Sequence, residues 1–288
     1  MDLNAFLQTL VYGLALGGTI AVSAVGLTLS YGVTRFINFA YGEFLTLGAY
    51  ATLAFAGAGL ALPLAGLVSV VAVGVAGVLL ARVAFDPLMH RGLLPLLVTS
   101  VGVAFVLHNA VRMVAGANPI RFPLPLLRPW EVAGVFVPKE QVATIAVALV
   151  AMGLVHLLLS RTMLGKTMRA VADDAALARS AGVAAPKVLA ATWFLSAAIG
   201  ALGGILLAVT QVTLDPDMGW RFLLVVFAAV LLGGIGSPYG AMLGGLIVGL
   251  GVELGATYVS ADYAYAFAFV LLILVLLARP RGLMGGRA

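Results

Sequence analysis

The chain has 288 residues, 63% of them hydrophobic and 9% charged, with a formal net charge of +5 and no cysteine. Soluble domains carry about 25% charged residues, so a soluble enzyme or binding module is excluded, and the missing cysteine excludes disulfides, thiol nucleophiles and thiolate metal sites. The positive charge reads as basic residues at the inner ends of membrane helices, not as a nucleic-acid footprint.

Apolar segments fall at about 6–33, 43–57, 62–81, 93–114, 140–159, 188–212, 222–235, 240–258 and 263–278. Most approach or exceed the roughly 18–20 residues with which a helix spans a bilayer. The short alternating segments of a transmembrane β-barrel are absent from the sequence. The expected fold is an all-α polytopic membrane protein with about eight transmembrane helices, in a single domain over 1–288. The start, MDLNAFLQTL, carries an acid and no basic stretch, so the first apolar segment is expected to be retained and not cleaved as a signal peptide.

The second and seventh segments are short and flank two Gly-rich turns, FINFAYGEF and LLGGIGSPYG. Irregular backbone at membrane depth must be enclosed by protein or by a water-filled cavity. Both 36–43 and 233–240 are therefore expected to lie inside the bundle as broken or re-entrant segments. Asn38, Tyr41 and Glu43 give the first turn its polar groups, and Ser237 gives the second. Glu43 also opens a short helix, where an acid suits the helix dipole, so capping and cavity-facing readings both stand. Glu253 is expected near the outer interface. His108 and Asn109, within 93–114, are expected to hydrogen-bond between helices. The runs 6–57 and 222–258 share one plan, which suggests an internal repeat.

Among the 35 glycines, Gly13 and Gly17, Gly200 and Gly204, Gly240 and Gly244, Gly245 and Gly249, and Gly251 and Gly255 are each four apart. That spacing lets helix backbones approach closely in lipid, within one subunit or between subunits.

Orientation follows from lysine and arginine. The 160–187 loop carries Arg161, Lys166, Arg169, Arg179 and Lys187, and the C-terminal tail carries Arg279, Arg281 and Arg287. Both are expected to be cytoplasmic. Counting spans then puts the N-terminus, 115–139 and 215–221 outside, with 82–92 and the turn GGIGSPYG inside. This arrangement leaves 11 of the 16 basic residues on the cytoplasmic side.

One stretch, RAVADDAALARSAGV, reads like soluble protein. Asp174 is a good N-cap for a helix over 175–181, Arg179 suits its last turn, and Gly182 fits the left-handed position after it. Two turns alone are marginal in water, so the helix is expected to be held by its own bundle or by a partner groove. Leu177 is its one large apolar side chain. No P-loop, GxSxG or HExxH motif occurs, and His90, His108 and His156 lack metal-ligand spacing. The expected chain is neither an enzyme nor a metal site, and it binds no cofactor of its own.

The stretch GLTLSYGVTRFINFAYGEFLTLGAY (26–50) resembles the signature of permease subunits of the branched-chain amino acid ABC transporter family, of LivH type. GKTMRAVADDAALARSAGV (165–183) is similar to that family's cytoplasmic coupling loop, and LLGGIGSPYGAMLGGLIVGLGVE (231–253) and RPRGLMG (279–285) resemble its C-terminal pattern. The resemblance implies a subunit of the bacterial inner membrane that pairs with a second, related permease of LivM type. It implies two cytoplasmic ATPase subunits, which bind ATP and Mg, and a periplasmic substrate-binding protein. The segment 173–182 would then be the coupling helix, with Asp173, Asp174, Leu177, Ala178, Arg179 and Gly182 facing the ATPase. Asn38, Tyr41, Glu43 and Ser237 would be candidates for the substrate path. Many relatives have His where this chain has Tyr41, and relatives of this type also move urea, short amides and other amino acids. Permeases of sugar or nucleoside importers share the Gly-rich turns, and a stand-alone secondary carrier is the alternative of a different class.

Overall fold

The structure is a computed structural model that describes residues 3–124, 128–132, 135–279 and 282–284. The helices are α1 (Leu3–Thr34), α2 (Tyr41–Gly57), α3 (Leu62–Leu80), α4 (Leu93–Ala115), α5 (Lys139–Arg161), α6 (Met163–Asp173), α7 (Ala175–Ser180), α8 (Ala185–Gln211), α9 (Met218–Gly233), α10 (Pro238–Tyr258) and α11 (Ala264–Ala278). Six of the described helices, α1, α3, α4, α5, α8 and α10, are long and apolar enough to cross a membrane, and α9 and α11 add shorter apolar helices. The chain is thus an all-α polytopic membrane protein. Arg281 and Arg287 of the tail lie outside the described residues.

Helix α1 is the central post, with α10, α8, α5 and α9 packed around it. Small residues permit this. A methyl group added at Gly17 would press on the backbone of Leu246, and one at Gly245 or Gly249 would overlap the backbones of Ala21 and Gly17. The same holds between α2 and α8, where Gly48 lies on Ala201 and Gly204 on Leu45. The four-residue glycine spacing therefore serves packing within the chain, since a missing side chain lets van der Waals contact form between backbones. Buried hydroxyls return their protons to their own helices: Thr19 to the Ala15 carbonyl, Ser23 to Thr19, Thr52 to Gly48 and Thr192 to Val188.

Three features depart from the sequence reading. Helix α3 does not stop near 81; it continues as a wide π turn over Ala81–Phe85 and a tight turn over Asp86–Leu88. The π turn delivers Phe85 onto Trp193 of α8, the rings stacked with centroids 5.1 Å apart. The connection after α4 holds short strands, β1 (Ile120–Arg121), β2 (Trp130–Val132) and β3 (Val135–Val137). Strands β2 and β3 form an antiparallel pair, and β1 pairs with β4 (Thr213–Leu214) after α8. The 160–187 connection holds α6 as well as α7. Thr162 caps α6 by accepting from the Gly165 amide at 3.1 Å. Gly165, Met168 and Val171, three apart, face the bundle.

The strands β1 and β4 mark one end of the bundle. The other end gathers the tail of α1, the ends of α5 and α6, and the α9–α10 turn: Gly32, Leu159, Ala172 and Tyr239 line one cavity there. The described part of the C-terminal tail joins this end, as Leu283 and Met284 donate their amides to the Leu232 and Gly233 carbonyls at 2.8 and 2.9 Å. The 160–187 connection, the α9–α10 turn and the described tail, all expected on the inner side, thus share one end.

Candidate functional site

The chain leaves α1 through Arg35, whose φ of 57° is left-handed and turns the backbone back into the bundle. Beyond Arg35 the turn is largely buried. Phe36 packs against Phe85 and Trp193, with ring centroids 5.5 and 6.1 Å away. Asn38 Oδ1 accepts from the Ala40 amide at 3.0 Å, a local turn that its short side chain favours. Its Nδ2 has no partner among the described residues. The Tyr41 hydroxyl donates to the Ser23 carbonyl of α1 at 2.6 Å, and its ring lies on Gly200 of α8. Tyr41 is thus a buried brace between α1, α2 and α8.

Two residues on, roughly 200° around the helix, Glu43 points the other way, toward α4 and α9. It does not cap its helix in the usual reciprocal manner, because the Ala40 amide it would accept from is already bonded to Asn38. Glu43 Oε1 lies 3.5 Å from His108 Nδ1 of α4, and His108 Nε2 lies 3.0 Å from Asp217 Oδ1, just before α9. Arg112, one helical turn beyond His108, reaches Asp217 Oδ2 at 3.7 Å. Glu43 is 1% exposed, and its Oε2 has no hydrogen-bond partner among the described residues. Glu43, His108 and Asp217 line a cleft of about 250 Å³ with Ala104, Phe105 and Trp220. The cleft exists because α2 and α9 touch at Gly42 and Gly219, where the Gly219 amide donates to Thr46 Oγ1 at 3.2 Å.

His108 thus bonds between elements as expected, whereas Asn109 does not: its Nδ2 donates to the Phe105 carbonyl of its own helix at 2.7 Å. Asp217 and Arg112 gave no signal in the sequence. Asp217 lies in a loop, and only the fold carries it to His108. Ser237 is set apart from the first turn's polar groups. Its Oγ accepts from the Gly240 amide at 3.1 Å and so caps α10. The tip of its turn lies at the end of the bundle, with Ile235 and Tyr239 exposed, so the expectation of a turn wholly inside the bundle holds for 36–43 and not for 233–240.

At that same end, α7 forms as its caps dictate. Asp174 Oδ1 accepts from the Ala176 and Leu177 amides at 2.8 and 3.0 Å. These two bonds hold its carboxyl below the usual carboxylate range, with Arg179 adding to the effect. Gly182 takes φ +83°, the left-handed turn that glycine makes without strain. Leu177 is 68% exposed, and Ala178 is buried against the bundle. The helix is held by its own fold through Ala178 while Leu177 stays uncovered, so Ala178 is not on the open face. Asp173, the last residue of α6, and Arg179 are exposed. The Arg35 guanidinium donates to the Ala172 carbonyl at 2.6 Å, and Arg169 donates to the Leu159 carbonyl at 2.5 Å. Among the described residues, no group of three or more His, Asp or Glu side chains is placed to hold a metal ion.

The profile of the family described as "Branched-chain amino acid transport system / permease component" matches residues 9–276. The LivH high-affinity branched-chain amino acid transport system permease of Escherichia coli K12 is 33% identical over 97% of this chain and 96% of its own length. The BraD permease of Pseudomonas aeruginosa is 35% identical over 99% of this chain and 97% of its own. A probable branched-chain amino acid transport permease of Methanocaldococcus jannaschii is 27% identical over 83% of this chain and 78% of its own. No solved structure matches. The near-full-length match, the helical bundle and the capped α7 agree, and the chain belongs to the branched-chain amino acid transport permease family.

Proposed function

We propose that this chain is the membrane-spanning permease subunit of a bacterial importer for branched-chain amino acids, driven by separate ATPase subunits. The observation that carries the coupling is α7: a short helix, capped at both ends, with its one large apolar side chain, Leu177, uncovered. Two cytoplasmic ATPases bind ATP and Mg, one docking on this helix and one on a second, related permease of LivM type. A periplasmic binding protein delivers substrate at the opposite end, near β1 and β4. The Lys/Arg bias supports this orientation in the inner membrane, with the N-terminus periplasmic and α6, α7 and the C-terminus cytoplasmic.

The turn 35–43 connects the two ends. Arg35 holds the Ala172 carbonyl beside α7, and Glu43 opens into the cleft with His108 and Asp217. Movement of α7 on nucleotide binding would pull on this turn and alter the cleft. Such a ligand-driven population shift is what alternating access requires. Asn38, Tyr41 and Glu43 lie along this turn, Tyr41 as its brace and Glu43 at the substrate. Ser237 flanks the path as the cap of α10.

The test is co-expression of the complete set of subunits. Affinity-purified permease should carry the ATPase subunits with it, and proteoliposomes should accumulate labelled L-leucine only with ATP and the loaded binding protein. Uptake by this chain alone, without ATP, would establish a secondary carrier instead.

A further inference from the structure

We propose that the cleft between α2, α4 and α9 binds the ammonium group of a zwitterionic α-amino acid, held by Glu43 and Asp217. This rests on the amino-acid reading above and narrows it, because urea, amides and sugars carry no such charge.

Glu43 and Asp217 bring two carboxyl groups, and Arg112 is the one guanidinium beside them among the described residues, at 3.7 Å from Asp217. The next cation along, Arg221, is engaged by Asp215. His108 stands between the two acids, with Nδ1 toward Glu43 and Nε2 toward Asp217. The imidazole reaches only Glu43 Oε1 and Asp217 Oδ1. Glu43 Oε2 is left with no donor among the described residues, although the residue is 1% exposed. A buried acceptor without a donor is costly, and an ammonium group, with three N–H bonds, supplies donors to Glu43 and Asp217 together. The remaining walls fit the rest of such a molecule. Phe105 and Trp220, with ring centroids 6.4 Å apart, offer an apolar surface to an aliphatic side chain. Arg112, beside the cleft at 3.7 Å from Asp217, is the cation for the carboxylate.

The probe is dicyclohexylcarbodiimide, which modifies carboxyl groups in apolar surroundings, applied to proteoliposomes of the whole transporter, with the Glu43 adduct measured by mass spectrometry. Saturating L-leucine, and isoamylamine, which keeps the ammonium and lacks the carboxylate, should each slow the adduct about tenfold, as expected at about ten times the half-protecting concentration. The acid 4-methylpentanoate, which lacks the ammonium, should leave the rate unchanged. Glu43→Gln and Asp217→Asn should each lower leucine uptake about tenfold, the loss of one charge-assisted hydrogen bond. Equal protection by 4-methylpentanoate, or none by leucine, overturns the proposal. Leucine uptake by the unmodified transporter separates the two claims: uptake without protection removes the ammonium site alone, and failure to take up any α-amino acid removes the transport reading with it.

Discussion

Arg35 Nη2 and the Ala172 carbonyl oxygen are 2.6 Å apart, although 137 residues separate them in the chain. The bond joins the first residue of the buried turn to the last turn of α6, two residues before the cap of α7. Arg35→Ala should therefore weaken communication between the ATPase and the cleft while leaving assembly intact. A partly exposed bond of this kind contributes about 1 kcal/mol. Substrate-stimulated ATP hydrolysis should fall several-fold, with unchanged recovery of the complex by size-exclusion chromatography.

The cap of α7 should be replaceable by shape but not by deletion. Asp174→Asn retains an oxygen that accepts from the amides of Ala176 and Leu177, and Asn caps as well as Asp. Asp174→Ala removes it. Amide hydrogen exchange at 176 and 177 should accelerate in the Ala variant and not in the Asn variant. The carboxyl of Asp174 titrates below its unfolded value, so its contribution is complete above the ordinary carboxylate range. It is lost as the pH falls through the depressed folded value. Exchange corrected for intrinsic rates should show fraying of α7 that depends on such acidification only in the chain with Asp at 174.

Glycines should separate into two classes. Gly249→Val places a side chain into the backbone of Gly17, whereas Gly102→Val meets nothing within 4 Å. Overpacking costs about 1–3 kcal/mol and sometimes more. The thermal midpoint of the detergent-solubilised protein should drop clearly for the first and stay within error for the second.

Much of this fold is legible in the sequence because lipid imposes strict rules. Long apolar runs mark the spans, the lysine and arginine bias groups the loops that share an end, and Asp174 with Gly182 marks the limits of α7. The misses have physical reasons. Helix α6 carries its signal in Gly165, Met168 and Val171, but Arg161, Lys166 and Arg169 make the stretch read as a loop. The π turn at Ala81–Phe85 has no composition of its own; it is set by the fit of Phe85 on Trp193. The cleft is half legible. Glu43 and His108 stand out as polar residues in apolar runs, but Asp217 and Arg112 look like ordinary residues at a helix end. The contact of Gly42 with Gly219 brings in Asp217, and α4 brings in Arg112. Ser237 stands out through its Gly-rich surroundings, yet its hydroxyl does the local work of capping a helix.

Helix α7 also offers two contrasting disruptions. Ala178→Pro removes the bond from its amide to the Asp174 carbonyl, 2.9 Å long, and clashes with the preceding turn, at about 3 kcal/mol or more. Leu177→Asp leaves the helix formed, because Leu177 touches little of the bundle. Both variants should insert and express normally and fail to retain the ATPase in pull-down. Ala178→Pro should also expose 175–180 to proteolysis, and Leu177→Asp should not.

An ATPase seated on α7 should drive the path through the turn 35–43. The chain has no cysteine, so Leu177→Cys gives a single attachment point. A short photoactivatable crosslinker attached there, in native membranes with all subunits present, should join the permease to the ATPase subunit. The yield should change between nucleotide-free and ATP-bound states. Absence of any ATPase adduct, with the same probe joining only lipid or the second permease, would show that no ATPase sits on α7.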